Sequence, residues 1–542
     1  MKLYKYILGT TVSLGLFFSS CNDWLDVEPV DARTTQNFYE TPSQMEQALT
    51  GVYNGLLPLA KYNFLMSEVR SDNVYSGAEA TSQKDYMDIS LFNPNITMIS
   101  TINSTWVDLF EIVSRANLFL SKIEGVDYTV EGLKEQHIGE ARFLRALAYF
   151  DLVRYFGRVP LTLVPQTISE AMATPQSEAV EIYENVIIPD LQYAVNNLTN
   201  EPMNYLGVTD TGGWRTTLVA AKALLGRVYL TMSGFPLNDE SKKELARQLL
   251  EEVIDYADES GKYWATTADQ WKRIWVHEND SKYHIFEIQY VSEANFGNPM
   301  VHESVPRLPS EYVNIPDLGG NSIACANGLD NLFKEHKDAE GHFLDIRCLA
   351  TIDTTKFIND DNPSSVTKYG GEDFFIKFLE HKMKRKDLGL GDISAQIVDR
   401  TYFPTNFPLI RLEDVMLMYA EITGPTTKGI AMVNRIRSRA GVPAISEEEK
   451  DPQKFQECIA DERRKELASE GIRWHDLVRR NKYIEAVTNR FKEHAYDSNG
   501  TLVRPILLDY ISRVTKGTYL YPIPDPQMKI REGLYTQNEA YR

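Results

Sequence analysis

Apolar residues in this chain follow a helical spacing over some stretches and no period over others, and the alternation divides the chain. Met45, Leu49, Val52, Tyr53 and Leu56 fall three to four residues apart. They follow Thr41-Pro42-Ser43-Gln44, which reads as a capping box with proline at the first helical position. Leu109, Phe110, Val113, Ala116 and Leu120 form another apolar face, in a helix predicted from Trp106. The longest predicted helix runs from about Glu131 to Phe156, where Gly157 and Pro160 close it. Further helices are predicted over 177–198, 216–232, 241–257, 411–423, 428–440 and 452–480. Residues 63–103 mix turn residues with aromatics and predict a long ordered loop or a pair of short strands. Residues 264–407 predict loops, short strands and short helices, with 283–288 alternating as a strand does. The Pro-rich C-terminus from Tyr519 is expected to be extended and to wrap the helical body.

The helices pair, which suggests a repeat. Leu225-Gly226 and Tyr229 keep the spacing of a tetratricopeptide first helix, and Ala246 and Leu250 that of its second. Leu147 and Tyr149 occupy a similar face in 131–156, with no glycine expected to allow close approach. Degenerate repeats and unrelated packed hairpins fit the pattern about equally. In both cases pairs stack because one hairpin cannot bury its own apolar face.

The N-terminus has another purpose. Lys2 and Lys5 precede an apolar run from Ile7 to Phe18, then Ser19, Ser20 and a lone Cys21. That is a secretory signal, too short for a bilayer span of ~20 residues. A cysteine directly after small residues looks like a bacterial lipobox, although Phe18 stands where leucine is usual. The expectation is cleavage after residue 20 and lipidation of Cys21. Residues 21–40 would then be an acidic tether to one body over 41–542. That body divides into a helical part to about 262, a loop-rich insertion over about 263–407, and a helical part with its tail beyond.

Composition removes several functions. A net charge of −19 opposes binding to nucleic acid or anionic lipid. After Cys21 only Cys325, Cys348 and Cys458 remain, which is no disulfide framework, although one bridge stays open. The nine histidines form no HExxH and no spaced His/Cys cluster, so no transition-metal site or other cofactor is expected. No EF-hand loop is present; a calcium ion held by Asp and carbonyl oxygens stays open. There is no nucleophile elbow and no phosphate loop. The densest charged stretch, ERRKELASEGIRWHDLVRR at 462–480, alternates in sign and reads as ion pairing that fixes a helix, not as catalytic carboxylates.

Several stretches resemble one family. They are Cys21-Asn22-Asp23-Trp24-Leu25-Asp26; WVDLFEIVSRANLFL at 106–120; EARFLRALAYFDLVRYFGRVPL at 140–161; PLIRLEDVMLMYAEI at 408–422; VNRIRSRAGVP at 433–443; the stretch at 462–480; and YLYPIP at 519–524. Together and in this order they resemble the SusD/RagB family of surface glycan-binding lipoproteins. The resemblance implies a mainly α fold of tetratricopeptide-like hairpins with loop-rich insertions and a few short strands. It implies a non-catalytic protein, lipid-anchored at the outer membrane and exposed at the cell surface, that passes an oligosaccharide or polysaccharide to a SusC-like TonB-dependent transporter. A peptide ligand in the same lid role, a surface glycoside hydrolase and a ligand-free scaffold are the alternatives.

Sugar recognition needs aromatic faces for the ring and planar polar groups for its hydroxyls. Two irregular blocks supply both. The first offers Asp72, Asn73, Tyr75 and Tyr86; the second offers Trp271, Trp275, Tyr290, Asn295 and Phe296. Trp271 and Trp275 could equally form a buried helix face with Ile274. Lys368, Tyr369, Lys377 and Tyr402 are further loop candidates, and Trp106 and Trp474 are read as core.

Overall fold

A computed structural model describes residues 38–76, 84–276, 283–305, 323–325, 327–334, 336, 340, 344–353, 374–380, 382–391, 397–399, 401–497 and 499–542. Cys21, Lys368 and Tyr369 lie outside these residues, as do the signal and most of the tether.

Helix α1 (Pro42–Asn54) starts on the capping box that the sequence predicts: the Thr41 hydroxyl accepts from the Gln44 backbone N–H, and the Gln44 side chain accepts from the Thr41 N–H. Then come α2 (Ser100–Ile123), α3 (Leu133–Phe156), α4 (Ile188–Asn197), α5 (Leu218–Ser233), α6 (Lys242–Ser260), α7 (Leu412–Thr423) and α8 (Thr427–Ala440). Each packs against the next in chain order, so the molecule grows as a stack of antiparallel pairs. At the α5–α6 contact a methyl on Gly226 would lie 2.9 Å from Leu250 Cδ2, the close approach of a tetratricopeptide pair. Against expectation α3 has such a glycine too: a methyl on Gly139 would lie 3.0 Å from Leu198.

Nearly every side chain of α3 is buried, including charged ones. Arg145 forms a bidentate pair with Asp190 of α4 at 2.7 and 2.9 Å and bonds Asn117 of α2 at 2.7 Å. One guanidinium thus fixes three helices, with the fork geometry that favours arginine for the task.

The helix predicted over 452–480 is two helices, α9 (Pro452–Glu466) and α10 (Arg473–Arg479). Ser469 and Gly471 between them have φ of 70° and 75°. A Cβ on Gly471 would come 2.4 Å from that of Asn63, and its N–H bonds the Glu68 carboxylate at 2.9 Å. The chain turns there to lay α10 and α11 (Tyr483–Ala495) over the 59–74 segment.

That segment corrects the expectation of loop or strands over 63–103. Residues 59–68 are helical with a π turn, and 84–90 form a short helix; strand Val74–Ser76 pairs with Ile323–Cys325. Strand β1 (His284–Ile288) appears where alternation predicts it and pairs antiparallel with β2 (Phe407–Arg411). The tail from Tyr519 carries only short helical turns. It docks through Tyr521, whose N–H bonds the Tyr155 carbonyl at 2.7 Å and whose hydroxyl bonds the Met66 carbonyl at 2.9 Å. Cys458 is a free thiol, pushed up to about 12 by burial. Among the described residues no helix is long and apolar enough to cross a membrane.

Candidate functional site

The 462–480 charges form the centre of the body, not a reaction site. Glu466 is wholly buried and accepts from Arg439 at 2.8 Å, Arg411 at 3.1 Å, Arg347 at 3.2 Å and the Trp271 indole at 3.1 Å. Burial would raise its carboxyl, but the guanidiniums outweigh it and hold it well below the usual range. Asp476 is held down in the same way by Arg463 and Arg479.

This network and the core absorb most of the sequence-predicted ligand residues. Trp271 and Trp275 are fully buried, edge to face at 5.7 Å, with Phe378 edge to face against Trp275 at 5.4 Å and the Lys377 ammonium 4.5 Å from its ring centre. Lys377 is buried on the carbonyls of Glu466 and Ala468 and the Glu470 carboxylate. Asp72 pairs with Arg473 at 2.7 and 2.8 Å. Burial would raise its carboxyl, yet Arg464 and Arg473 hold it well below the usual range. Asn73 is fully buried between Glu68 and Arg464. Tyr75 stacks on His494 at 3.9 Å, and Tyr290 is buried with its hydroxyl on the Leu57 carbonyl at 2.7 Å. A covered ring has no face to offer a sugar, so these seven residues are corrected to structural roles.

Asn295 and Phe296 are placed differently. Residues 291–296 form a tight turn in which the Val291 N–H bonds the Phe296 carbonyl at 3.0 Å and the Phe296 N–H bonds the Glu293 carbonyl at 3.1 Å. Asn295 takes φ of 66°, which asparagine tolerates better than most residues. Phe296 remains 45% exposed, an outlay of apolar surface that core packing does not explain. Exposed Val291 beside it is a residue the sequence reading missed; it lies three residues beyond the alternating stretch at 283–288, which gives no signal for it.

The turn is held from both ends. The N–H groups of Gly297 and Asn298 bond the carbonyls of Thr401 and Phe403 at 2.9 and 2.6 Å, bracketing half-buried Tyr402. A Cβ on Gly297 would meet the Thr401 carbonyl oxygen at 2.2 Å and the Phe403 nitrogen at 2.6 Å, both backbone atoms. Gly297→Ala is therefore expected to push the 401–403 segment away. A cost of about 1–3 kcal/mol in urea unfolding and weakened ligand binding should appear together; unchanged values for both would mean that the pairing does not support the turn.

Beneath the surface, the 57–61 corner carries both halves: Tyr290 bonds Leu57, and Lys61 pairs with Glu303 at 2.8 Å. Half-buried Tyr86 donates its hydroxyl to the same Glu303 carboxylate. Burial pushes the Glu303 carboxyl up, but Lys61 and Tyr86 outweigh it, so it lies below its ordinary value. A group ionised at neutral pH is no general acid. The carboxyl raised to about 7 is Glu140, by burial, and it is sealed inside α3 against Arg215 and Tyr53. Among the described residues no cluster of His, Cys, Asp or Glu is arranged to hold a metal ion.

Fold and surface together define a helical-repeat protein that displays a small aromatic and amide surface on inserted loops. Comparison with known proteins agrees. A model described as SusD family matches residues 385–541, and one described as starch-binding associating with outer membrane matches residues 23–230. A SusD-like protein of Formosa agariphila is 28% identical over 522 residues, 90% of this chain and 94% of that protein. One from Bacteroides ovatus is 25% identical over 497 residues, 89% and 83% of the two chains. The chain belongs to the SusD/RagB family. Among solved structures, a SusD homolog from Bacteroides thetaiotaomicron superposes with a TM-score of 0.75 at 24% identity, covering 93% of this chain and 99% of that one. A laminarin-binding SusD-like protein gives 0.71 at 24%, covering 93% and 100%. A structure with xylogluco-oligosaccharide gives 0.68 at 21%, covering 90% and 97%.

Proposed function

We propose that this protein captures an oligosaccharide or polysaccharide at the cell surface and delivers it to a SusC-like TonB-dependent transporter without breaking a bond. In this reading Cys21 carries the lipid anchor, residues 21–40 are the tether, and 41–542 are a single body held at the outer membrane. The observation that carries the reading is the turn at 291–296. It exposes an aromatic ring and an amide, Phe296 and Asn295, on a backbone fixed to the helical body at both ends. A rigid mount lowers the ordering cost of binding, and an apolar ring face beside an amide is the chemistry that a pyranose needs. Laminarin and xylogluco-oligosaccharide, named for two proteins of similar fold, indicate the ligand class.

The test is calorimetric titration with the best-binding oligosaccharide. Phe296→Ala should weaken it about tenfold, roughly 1.4 kcal/mol, and Asn295→Ala less, with urea unfolding unchanged for both. Equal affinity for the protein and both variants would remove the turn from the site.

A further inference from the structure

A second concavity lies away from the 291–296 turn. It runs between α2, the 160–174 loop and the tail at 527–535, and its volume is about 540 Å³. Its floor is half-buried Phe110, packed on the buried ring of Trp106 at 5.1 Å, behind which buried Tyr535 lies 6.3 Å from Trp106 between ring centres. Its rim is aliphatic and exposed, with Val107 at 45%, Val164 at 64%, Ile168 at 81% and Met172 at 43%. Single exposed apolar residues need no explanation, but four around one cavity mark a binding surface.

The lining fixes the chemistry of the occupant. Its one charged wall residue, Glu111, is paired with Arg115 at 2.5 Å, so the groove favours an uncharged ligand. Gln166 and Gln527 each donate one amide N–H, to Thr174 and Asn103 at 3.0 and 3.2 Å, and have a second N–H and a carbonyl oxygen besides. Hydroxyl groups, which both donate and accept, joined to an apolar body match such a lining. The volume falls within the ~300–1,000 Å³ of small-molecule sites, whereas a protein partner needs about 800 Å² of surface. We propose that this groove is a second ligand site, taking an uncharged glycoside that carries an aryl or short alkyl group. The inference does not rest on the reading of the 291–296 turn, since the two share no residue.

The test uses phenyl β-glucopyranoside, with glucose and benzyl alcohol as its separated halves, in titrations followed by calorimetry and ligand-observed NMR. The phenyl glucoside should bind saturably, each half at least tenfold more weakly. Val107→Asp and Ile168→Asp, both at exposed positions, should each weaken it tenfold or more while circular dichroism stays unchanged. Leu245→Asp, an equally exposed apolar position on α6, should not weaken it. Absence of saturable binding, benzyl alcohol binding as tightly as the glucoside, or indifference to both rim substitutions would each overturn the proposal.

Discussion

Glu466→Gln should destabilise the protein by about 3–5 kcal/mol, the usual cost of removing one partner from a buried ionic cluster. Three guanidiniums, those of Arg347, Arg411 and Arg439, converge on this carboxylate, and none is exposed enough for water to replace it. The amide keeps the shape and one acceptor but loses the charge, so each arginine must lean harder on Asp345, Glu413, Glu462 or Glu470. The effect should spread beyond α9. Trp271 bonds the same carboxylate, and Arg411 ends β2, so the strand pair leading to the 291–296 turn is tied to Glu466 as well. Urea unfolding gives the measurement; a shift below about 1 kcal/mol would mean that the cluster rearranges freely.

The second large effect is on pH dependence. His137, His475 and His494 are buried and held neutral. Burial is the main cause for each, and arginines add to it: Arg215 beside His137, Arg154 and Arg227 beside His475, and Arg490 and Arg504 beside His494. Asp476 beside His475 acts the other way and is outweighed. The Arg215 guanidinium lies 3.1 Å from His137 Nε2, so that nitrogen accepts, and Nδ1–H donates to the Tyr128 hydroxyl at 2.9 Å. His137 and His494 are pushed down to about 3, and His475 lies well below its ordinary value. In the unfolded chain each titrates near 6.5. Above that pH both states are neutral and the stability is fully present. Below it the unfolded chain takes up protons that the folded one refuses, so stability falls, by about 1.4 kcal/mol per pH unit for each histidine. Three together make about 4 kcal/mol per unit below pH 6; Glu140, raised to about 7, takes up its proton in the folded state over the same range and offsets about one third of that, leaving about 2.7 kcal/mol per unit against a total that is usually 5–15 kcal/mol. The protein should therefore unfold in mild acid, before Asp72, Glu466 or Asp476 is protonated. Urea midpoints between pH 7.5 and 5 should decline steeply, and His137→Gln should remove about half of the net slope. A flat profile would contradict the assignment.

The helical scaffold was legible because its signals are local. A capping box, a Gly-Pro stop and a 3.6-residue period are complete within one helix, and α1 and α3 follow them closely. The break at Gly471 was not, because what forces it is Asn63, four hundred residues upstream. The site was hard to read for the same reason. Aromatic residues mixed with amides and carboxylates describe a sugar site and a polar core equally well. Asp72 and Asn73 look like loop ligands until Arg464 and Arg473 arrive from α9 and α10. Trp271 and Trp275, four apart, keep the helical spacing that marks a buried face. Only the covering of each ring separates the two uses, and that depends on partners distant in sequence. Phe296 differs in remaining 45% exposed, with no ring contact over it among the described residues.

The most direct test of the account is titration of the protein with a panel of oligosaccharides and mixed peptides, each mixture then analysed for cleavage products. Saturable heat with one glycan class, no product after prolonged incubation, and loss of affinity in Phe296→Ala are the predicted result. Release of shorter sugars, or saturable binding confined to peptides, would contradict it.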